Sequence, residues 1–305
     1  MSATTTRGRD VRGILLLDKP RGLTSNRALQ RVKRLYGAAK AGHTGSLDPL
    51  ATGMLPICFG AATRLGSFLL DAEKAYRVTA RFGVATDTGD ADGTVTERLD
   101  EPRPTAVALR DALRRFLGEI DQVPPMYSAL KRDGKRLYEL ARRGVVVERE
   151  PRRVTIFELA FERYDWPHAE LYVRCSKGTY VRSLVVDLAA ALGTVAHVAE
   201  LRRVAVAPFG GEPMATLEML DEVAETRGMA GLDALLLPAD RALVSWPGVV
   251  LSATAAARIE HGQAIAAEEP WPIGRVKIYR EPREFLAIGE VTPDRRLAPH
   301  RVFVR

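Results

Sequence analysis

Apolar residues run unbroken from Ile14 to Leu17, between Gly13 and Asp18-Lys19-Pro20, and predict a buried strand. A helical period follows. Ala28, Leu29, Val32, Leu35 and Tyr36 share one face, Ser25 stands where a cap belongs, and Gly37 suits the C-terminal end. The other face carries Arg27, Arg31 and Arg34, a basic stripe read first as solvated and second as a polyanion contact. Further on, Tyr76, Val78, Ala80 and Phe82 alternate with Arg77, Thr79 and Arg81, the pattern of a half-buried strand. Thr86 to Gly93 is rich in Asp, Thr and Gly but lacks the order and closing Glu of a calcium loop, so it reads as a turn. Thr105 opens a helix with Leu109, Leu113, Phe116 and Leu117 inward, ended by Gly118. Val154 to Phe161 and Leu171 to Cys175 read as strands, and Val181 to Leu192 as a helix ended by Gly193.

These elements interleave into a mixed α/β (α+β) chain whose strand order periodicity cannot assign. Neither a Walker A loop nor G-x-G-x-x-G is present, so a kinase or dehydrogenase reading lacks its phosphate loops. A second domain is expected to begin between Pro238 and Pro247. There Ala255 to Gly262 reads as a short helix, and Val276 to Tyr279, Phe285 to Val291 and Val302 to Val304 read as short strands of a small β-rich barrel.

Charge sharpens the picture. The chain of 305 residues carries a net charge of +7, which points to a polyanionic partner without naming one. Lys131 to Arg153 holds nine Lys or Arg against four Asp or Glu, a net of +5. With Pro124-Pro125 before it and Pro151 near its end, this segment reads as a basic insertion over about residues 124–153, either a solvated face or a set of phosphate contacts. The two cysteines, Cys58 and Cys175, form neither a disulfide framework nor a zinc spacing and read as buried apolar filler. No apolar run approaches the ~18 residues of a membrane span, and residues 1–10 read as a polar disordered tail. The expected compartment is the cytoplasm.

One segment carries candidate chemistry: Gly42-His43-Thr44-Gly45-Ser46-Leu47-Asp48-Pro49-Leu50-Ala51-Thr52-Gly53. Its glycines permit tight turns, and Pro49 biases Asp48 toward an extended conformation. Asp48 is therefore expected on a rigid loop, where it either bonds its own backbone as an Asx turn or is presented as a nucleophile.

This segment resembles the catalytic motif of the TruB family, the tRNA pseudouridine synthases that act on the T-arm uridine. Three further matches stand in the family's order: Leu16-Leu17-Asp18-Lys19-Pro20 with Gly22 and Ser25-Asn26, then Lys74-Ala75-Tyr76, then Cys175-Ser176-Lys177-Gly178-Thr179-Tyr180-Val181-Arg182. The resemblance is strong over about residues 11–210 and weaker beyond.

It implies the pseudouridine synthase fold over residues 11–245, a mixed, largely antiparallel sheet with flanking helices. It also implies a thumb-like basic insertion and a PUA-like module over residues 246–305. The implied reaction isomerises the uridine at position 55 of the tRNA T-loop. Asp48 is the implied nucleophile and Arg182 its counter-ion. Tyr76 is implied to stack on the flipped base, with its hydroxyl a candidate to assist the final proton removal from C5, Tyr180 to line the same pocket, and Leu201 to touch the base through its backbone. His43 either fills the gap the base leaves or contacts RNA. Lys131, Arg132, Lys135, Arg136, Arg142 and Arg143 are expected on the RNA backbone, while Lys19 and Pro20 support the catalytic loop. No cofactor and no metal are implied, since the reaction is redox-neutral and the histidines are scattered. The expected partner is the tRNA T-arm, with no membrane and no obligate protein partner, the chain acting as a monomer. The rival reading is a noncatalytic RNA-binding or RNA-folding protein on the same scaffold, against which Asp48 argues, since a pure binder gains nothing from a carboxylate beside a polyanion.

Overall fold

The computed structural model describes residues 8–303 apart from 129, 133, 142, 146 and 268, and of residues 131, 132, 135 and 136 it describes the backbone alone. β1 (Gly13–Lys19) carries the predicted apolar run two residues further. α1 (Ser25–Leu35) buries the predicted face. Its cap is Thr24 rather than Ser25, because the Thr24 hydroxyl accepts the Arg27 N–H while Ser25 is buried and bonded to Leu47. β2 (Ala41–His43) and β3 (Thr52–Phe59) flank the Asp48 loop. A 3-10 turn at Gly60–Leu65 leads into α2 (Gly66–Asp71) and β4 (Lys74–Phe82), in which Tyr76, Val78, Ala80 and Phe82 are all buried.

β5 (Val84–Thr86) and β6 (Val95–Arg98) form a ribbon around the Asp-rich turn. α3 (Ala106–Arg114) is capped by Thr105 and turns Leu109 and Leu113 inward. Leu117 is a correction: it is exposed, because the helix stops at Arg114 and a helical face lasts only as long as its helix. After β7 (Gly118–Gln122), the basic segment forms a hairpin of β8 (Lys131–Arg132) and β9 (Lys135–Arg136) and then α4 (Leu137–Ala141). β10 (Arg152–Asp165) and β11 (His168–Cys175) outrun their predicted apolar stretches, since antiparallel pairing holds their polar ends as well. α5 (Val181–Ala191) ends before Gly193 as predicted. β12 (Ala196–Val206) has no counterpart among the predicted strands, and α6 (Leu217–Asp233) is broken at Gly228.

The main sheet has eight strands in the order β1-β3-β12-β4-β11-β10-β7, with β2 paired to β3. Among the described residues only the β12–β3 pairing of this sheet is parallel, so the sheet is mixed and largely antiparallel. α3 and α5 cover one core through Leu109, Leu113, Leu184 and Leu188. α1 and α6 cover another through Leu29, Val32, Leu217 and Leu220. Apolar burial of this kind, at roughly 25 cal/mol per Å² of area removed from water, supplies the main drive to fold.

The C-terminal region is β-rich: β13 (Gly248–Leu251), α7 (Ala253–Glu260), β14 (Ile265–Ala266), β15 (Gly274–Arg280), β16 (Glu284–Val291) and β17 (Arg296–Val302). They form a five-stranded sheet with its own core around Val249, Ile278, Leu286 and Leu297. Of the predicted strand at Val302 to Val304, only its first residue is in β17, and Val304 lies outside the described residues. This sheet is fastened to the first. Phe68 meets Trp246 edge-on at 5.3 Å, Ile288 and Phe303 share a core with Leu16 and Met54, and Arg301 and Arg64 each donate to a carbonyl across the junction.

Candidate active site

The loop between β2 and β3 is held on several sides. Gly53 has φ +96°, and a Cβ there would stand 2.2 Å from the Arg203 carbonyl oxygen, so only glycine lets β3 lie parallel against β12. The guanidinium of Arg203, almost wholly buried, donates to the carbonyls of Met54 at 2.7 Å and Gly45 at 3.0 Å. Lys19 is wholly buried and donates to the carbonyls of Pro20 at 2.8 Å and Leu23 at 2.7 Å, which fixes the turn beside the loop. Burial lowers its pKa to about 8. Its position fits the supporting role expected of it.

Asp48 sits at the wall of a cavity of about 910 Å³, with Thr24, Ser25, Asn26, His43, Thr88, Asp90, Tyr127, Ser128, Tyr138 and Arg182 around it. The structure brings Asp48 and Arg182 together: an Arg182 Nη2 lies 2.9 Å from Asp48 Oδ2. Arg182 stands at the start of α5, is 4% exposed, and is aimed by three further groups. It donates to the Thr88 and Tyr127 carbonyls, both at 2.7 Å, and its Nε lies 3.7 Å from Asp90 Oδ2. Burial raises the Asp48 pKa above the ordinary carboxylate value, and Arg182 opposes that rise without cancelling it.

The Asp-rich turn therefore does more than turn. Asp90 is buried and accepts the Thr88 hydroxyl at 2.6 Å and the Asp92 N–H at 3.2 Å, which keeps one carboxylate oxygen on Arg182.

The other expected residues divide. His43 lines the cavity, and burial, with Arg203 nearby, lowers its pKa, so the ring is neutral at pH 7. Tyr76 packs with Leu47, Leu50 and Ala51 in the core below the loop, and burial raises its pKa. Tyr180 stands at the N-cap position of α5 without a side-chain capping bond; its backbone N–H donates to Gln122 Oε1 at 2.7 Å, and burial raises its pKa too. Leu201 lies opposite Val78 in the sheet and lines a separate depression with Thr52 and Arg77, not the Asp48 cavity. Arg143 is exposed, and Arg142 lies outside the described residues. Cys58 and Cys175 are buried and unpaired. Among the described residues, no group of three or more His, Cys, Asp or Glu is placed to hold a metal ion, and no helix is long and apolar enough to cross a membrane.

A buried arginine thus holds one carboxylate, oriented by a charge-assisted bond, at the wall of an open cavity. Comparison with known proteins decides the family. Residues 33–181 match the model of the TruB family pseudouridylate synthase N-terminal domain. Residues 182–244 match the tRNA pseudouridylate synthase B C-terminal domain, and residues 247–303 the C-terminal domain of pseudouridine synthase II TruB. The tRNA pseudouridine synthase B of Stutzerimonas stutzeri is 53% identical over 297 residues, 96% of each chain. That of Serratia proteamaculans is 49% identical over 314 residues, covering 100% of this chain and 99% of its own. The chain belongs to the TruB family. Among solved structures, a chain of a Cbf5-Nop10-Gar1 complex is 25% identical with a TM-score of 0.72, covering 96% of this chain and 85% of its own. A chain of an H/ACA RNP bound to a substrate RNA containing 2'-deoxyuridine is 23% identical with a TM-score of 0.73, covering 96% and 85%. That likeness is one of fold, the pseudouridine synthase fold with its β-rich C-terminal region. As a TruB family member the chain is a pseudouridine synthase, an isomerase.

Proposed function

We propose that this chain converts the uridine at position 55 in the T-loop of tRNA to pseudouridine in the cytoplasm, with Asp48 as nucleophile on a flipped-out base. The observation that carries the reading is the 2.9 Å pair between Asp48 and the buried Arg182 at the wall of the cavity. Its volume of about 910 Å³ is at the upper end of ordinary ligand pockets (roughly 300–1,000 Å³) and has room for a nucleotide extruded from its stack. The relatives at about 50% identity carry the name tRNA pseudouridine synthase B.

The ionised Asp48 attacks the sugar side of the target nucleotide, and the uracil–ribose bond breaks. The uracil, released as its N1 anion, rotates and rejoins the same sugar carbon through C5, which displaces the Asp48 carboxylate; the C5 proton is then lost and N1 takes one up. Arg182 keeps Asp48 ionised and fixes its direction. Tyr76 stacks on the base, and burial keeps its phenol protonated, which suits a wall better than a base. Tyr180 forms a further wall beside the base. The β8–β9 hairpin, with Arg142 and Arg143, lies along phosphates and orients the arm without reading its sequence. The supporting division is a catalytic domain over residues 11–245, with the thumb at 124–153, and a PUA-like module over 246–305. The separate C-terminal core favours that boundary. Incubating purified protein with unmodified tRNA and mapping every pseudouridine tests the reading. A single site at position 55 supports it, and conversion elsewhere or none overturns it.

A further inference from the structure

The segment just after β1 grips the catalytic loop on both sides of Asp48. On one side, the Gly22 N–H donates to the Pro49 carbonyl at 2.8 Å. On the other, the Ser25 hydroxyl makes two bonds to a single residue, accepting from the Leu47 N–H at 2.7 Å and donating to the Leu47 carbonyl at 3.1 Å. A hydroxyl can do both at once, and these two bonds commit its donor and one of its acceptor positions. Ser25 is 3% and Leu47 6% exposed, so water cannot stand in for either bond. Ser25 is itself fixed, because α1 is anchored by buried Ala28, Leu29 and Val32 and capped by Thr24.

We infer that Ser25 is a positioning residue for Asp48: from the first turn of α1 it clamps the preceding residue, so that the carboxylate meets Arg182 and the substrate in one orientation. The inference rests on Asp48 carrying the chemistry. Helix capping is already done by Thr24, so the Ser25 hydroxyl is free for this second task. Its removal leaves a buried Leu47 N–H without a partner, and the local remedy is for the loop to turn that N–H toward water and carry Asp48 with it.

Ser25→Ala and Ser25→Cys test this in single-turnover pseudouridine formation at saturating tRNA, alongside tRNA affinity and Asp48→Asn. Misplacing a reacting group by about 1 Å costs on the order of 100-fold, so Ser25→Ala should be about 10- to 100-fold slower with tRNA affinity within about twofold. Ser25→Cys, a weaker donor and acceptor, should fall between. The pH profile separates positioning from mere stability. The charged groups around Asp48 are Arg182, Asp90 and Lys19. A carboxylate that drifts from Arg182 holds its proton more tightly, so the acidic limb of the Ser25→Ala profile should move to higher pH. A Ser25→Ala rate within about threefold of the parent, or a slow variant whose acidic limb stays in place, overturns the inference. An active Asp48→Asn overturns the nucleophile reading itself, whereas a fully active Ser25→Ala beside an inactive Asp48→Asn overturns only the role of Ser25.

Discussion

Replacing Arg182 with Met removes the group on which the site converges. The guanidinium is 4% exposed and engages Asp48 at 2.9 Å, Asp90 at 3.7 Å and two carbonyls at 2.7 Å. Breaking a buried ion pair by deleting one partner costs about 3–5 kcal/mol. The Asp48 side chain is 41% exposed and regains water, which puts the cost near the lower end, about 3 kcal/mol. At roughly 2–4 °C per kcal/mol, the Tm should fall by about 6–12 °C. The rate should suffer more, because Asp48 loses its direction and its counter-charge. Deleting one preorganised electrostatic partner costs about 10²–10³ in rate. The pH profile gives the sign. Asp48 must be ionised, burial raises its pKa and Arg182 lowers it, so without Arg182 the acidic limb moves upward. Arg182→Lys should recover the rate only in part, since an ammonium cannot serve all four partners from one plane. The assay is tritium release from uridine C5 under single-turnover conditions below the variant's Tm, with affinity measured separately. An Arg182→Met rate within about threefold of the parent, or an acidic limb shifted downward, refutes the counter-ion role.

Asp90→Asn should move the limb the other way. It keeps the shape of the turn, and the Thr88 and Tyr127 carbonyls keep Arg182 on Asp48, but it removes a negative charge that raises the Asp48 pKa, so the limb shifts to lower pH while the plateau falls by less than about tenfold. A pH–rate series on the single variant checks both signs. Replacing Lys131, Arg132, Lys135 and Arg136 together with Gln should weaken tRNA binding for every tRNA sequence. Every phosphate that goes unneutralised in the variant should flatten the slope of log affinity against log salt by roughly 0.7–0.9, and an unchanged slope in titrations at several salt concentrations marks these residues as a solvated face.

Much of this fold was legible because its signals are local. The period of α1, the alternation of β4 and the ends of α3 and α5 follow from neighbours a few residues apart. The Asp48 loop was legible for the same reason, since Gly and Pro act on their own backbone. β12 was not, because Glu200, Arg202 and Arg203 interrupt its apolar run. Arg202 is held there by a pair with Asp18 and Arg203 by backbone carbonyls, and neither partner is near in sequence. Asp90 sits in a turn, as its Asp, Thr and Gly neighbours predict, but its second task depends on Arg182, which joins it only through tertiary packing. Ser25 looked like a cap because cap residues and clamp residues share one chemistry. The placement of Thr24, one residue earlier, decided between them.

The central claim is that the Asp48 carboxylate, and no other group at the cavity, opens the glycosidic bond. Asp48→Asn nearly preserves size, the packing of the loop and the cavity, while removing the nucleophile and its charge. Single-turnover tritium release with saturating tRNA, read beside the tRNA affinity of the same preparation, isolates that chemistry. The account predicts no measurable release at any pH, with affinity within a few-fold of the parent. Substantial turnover by Asp48→Asn contradicts it.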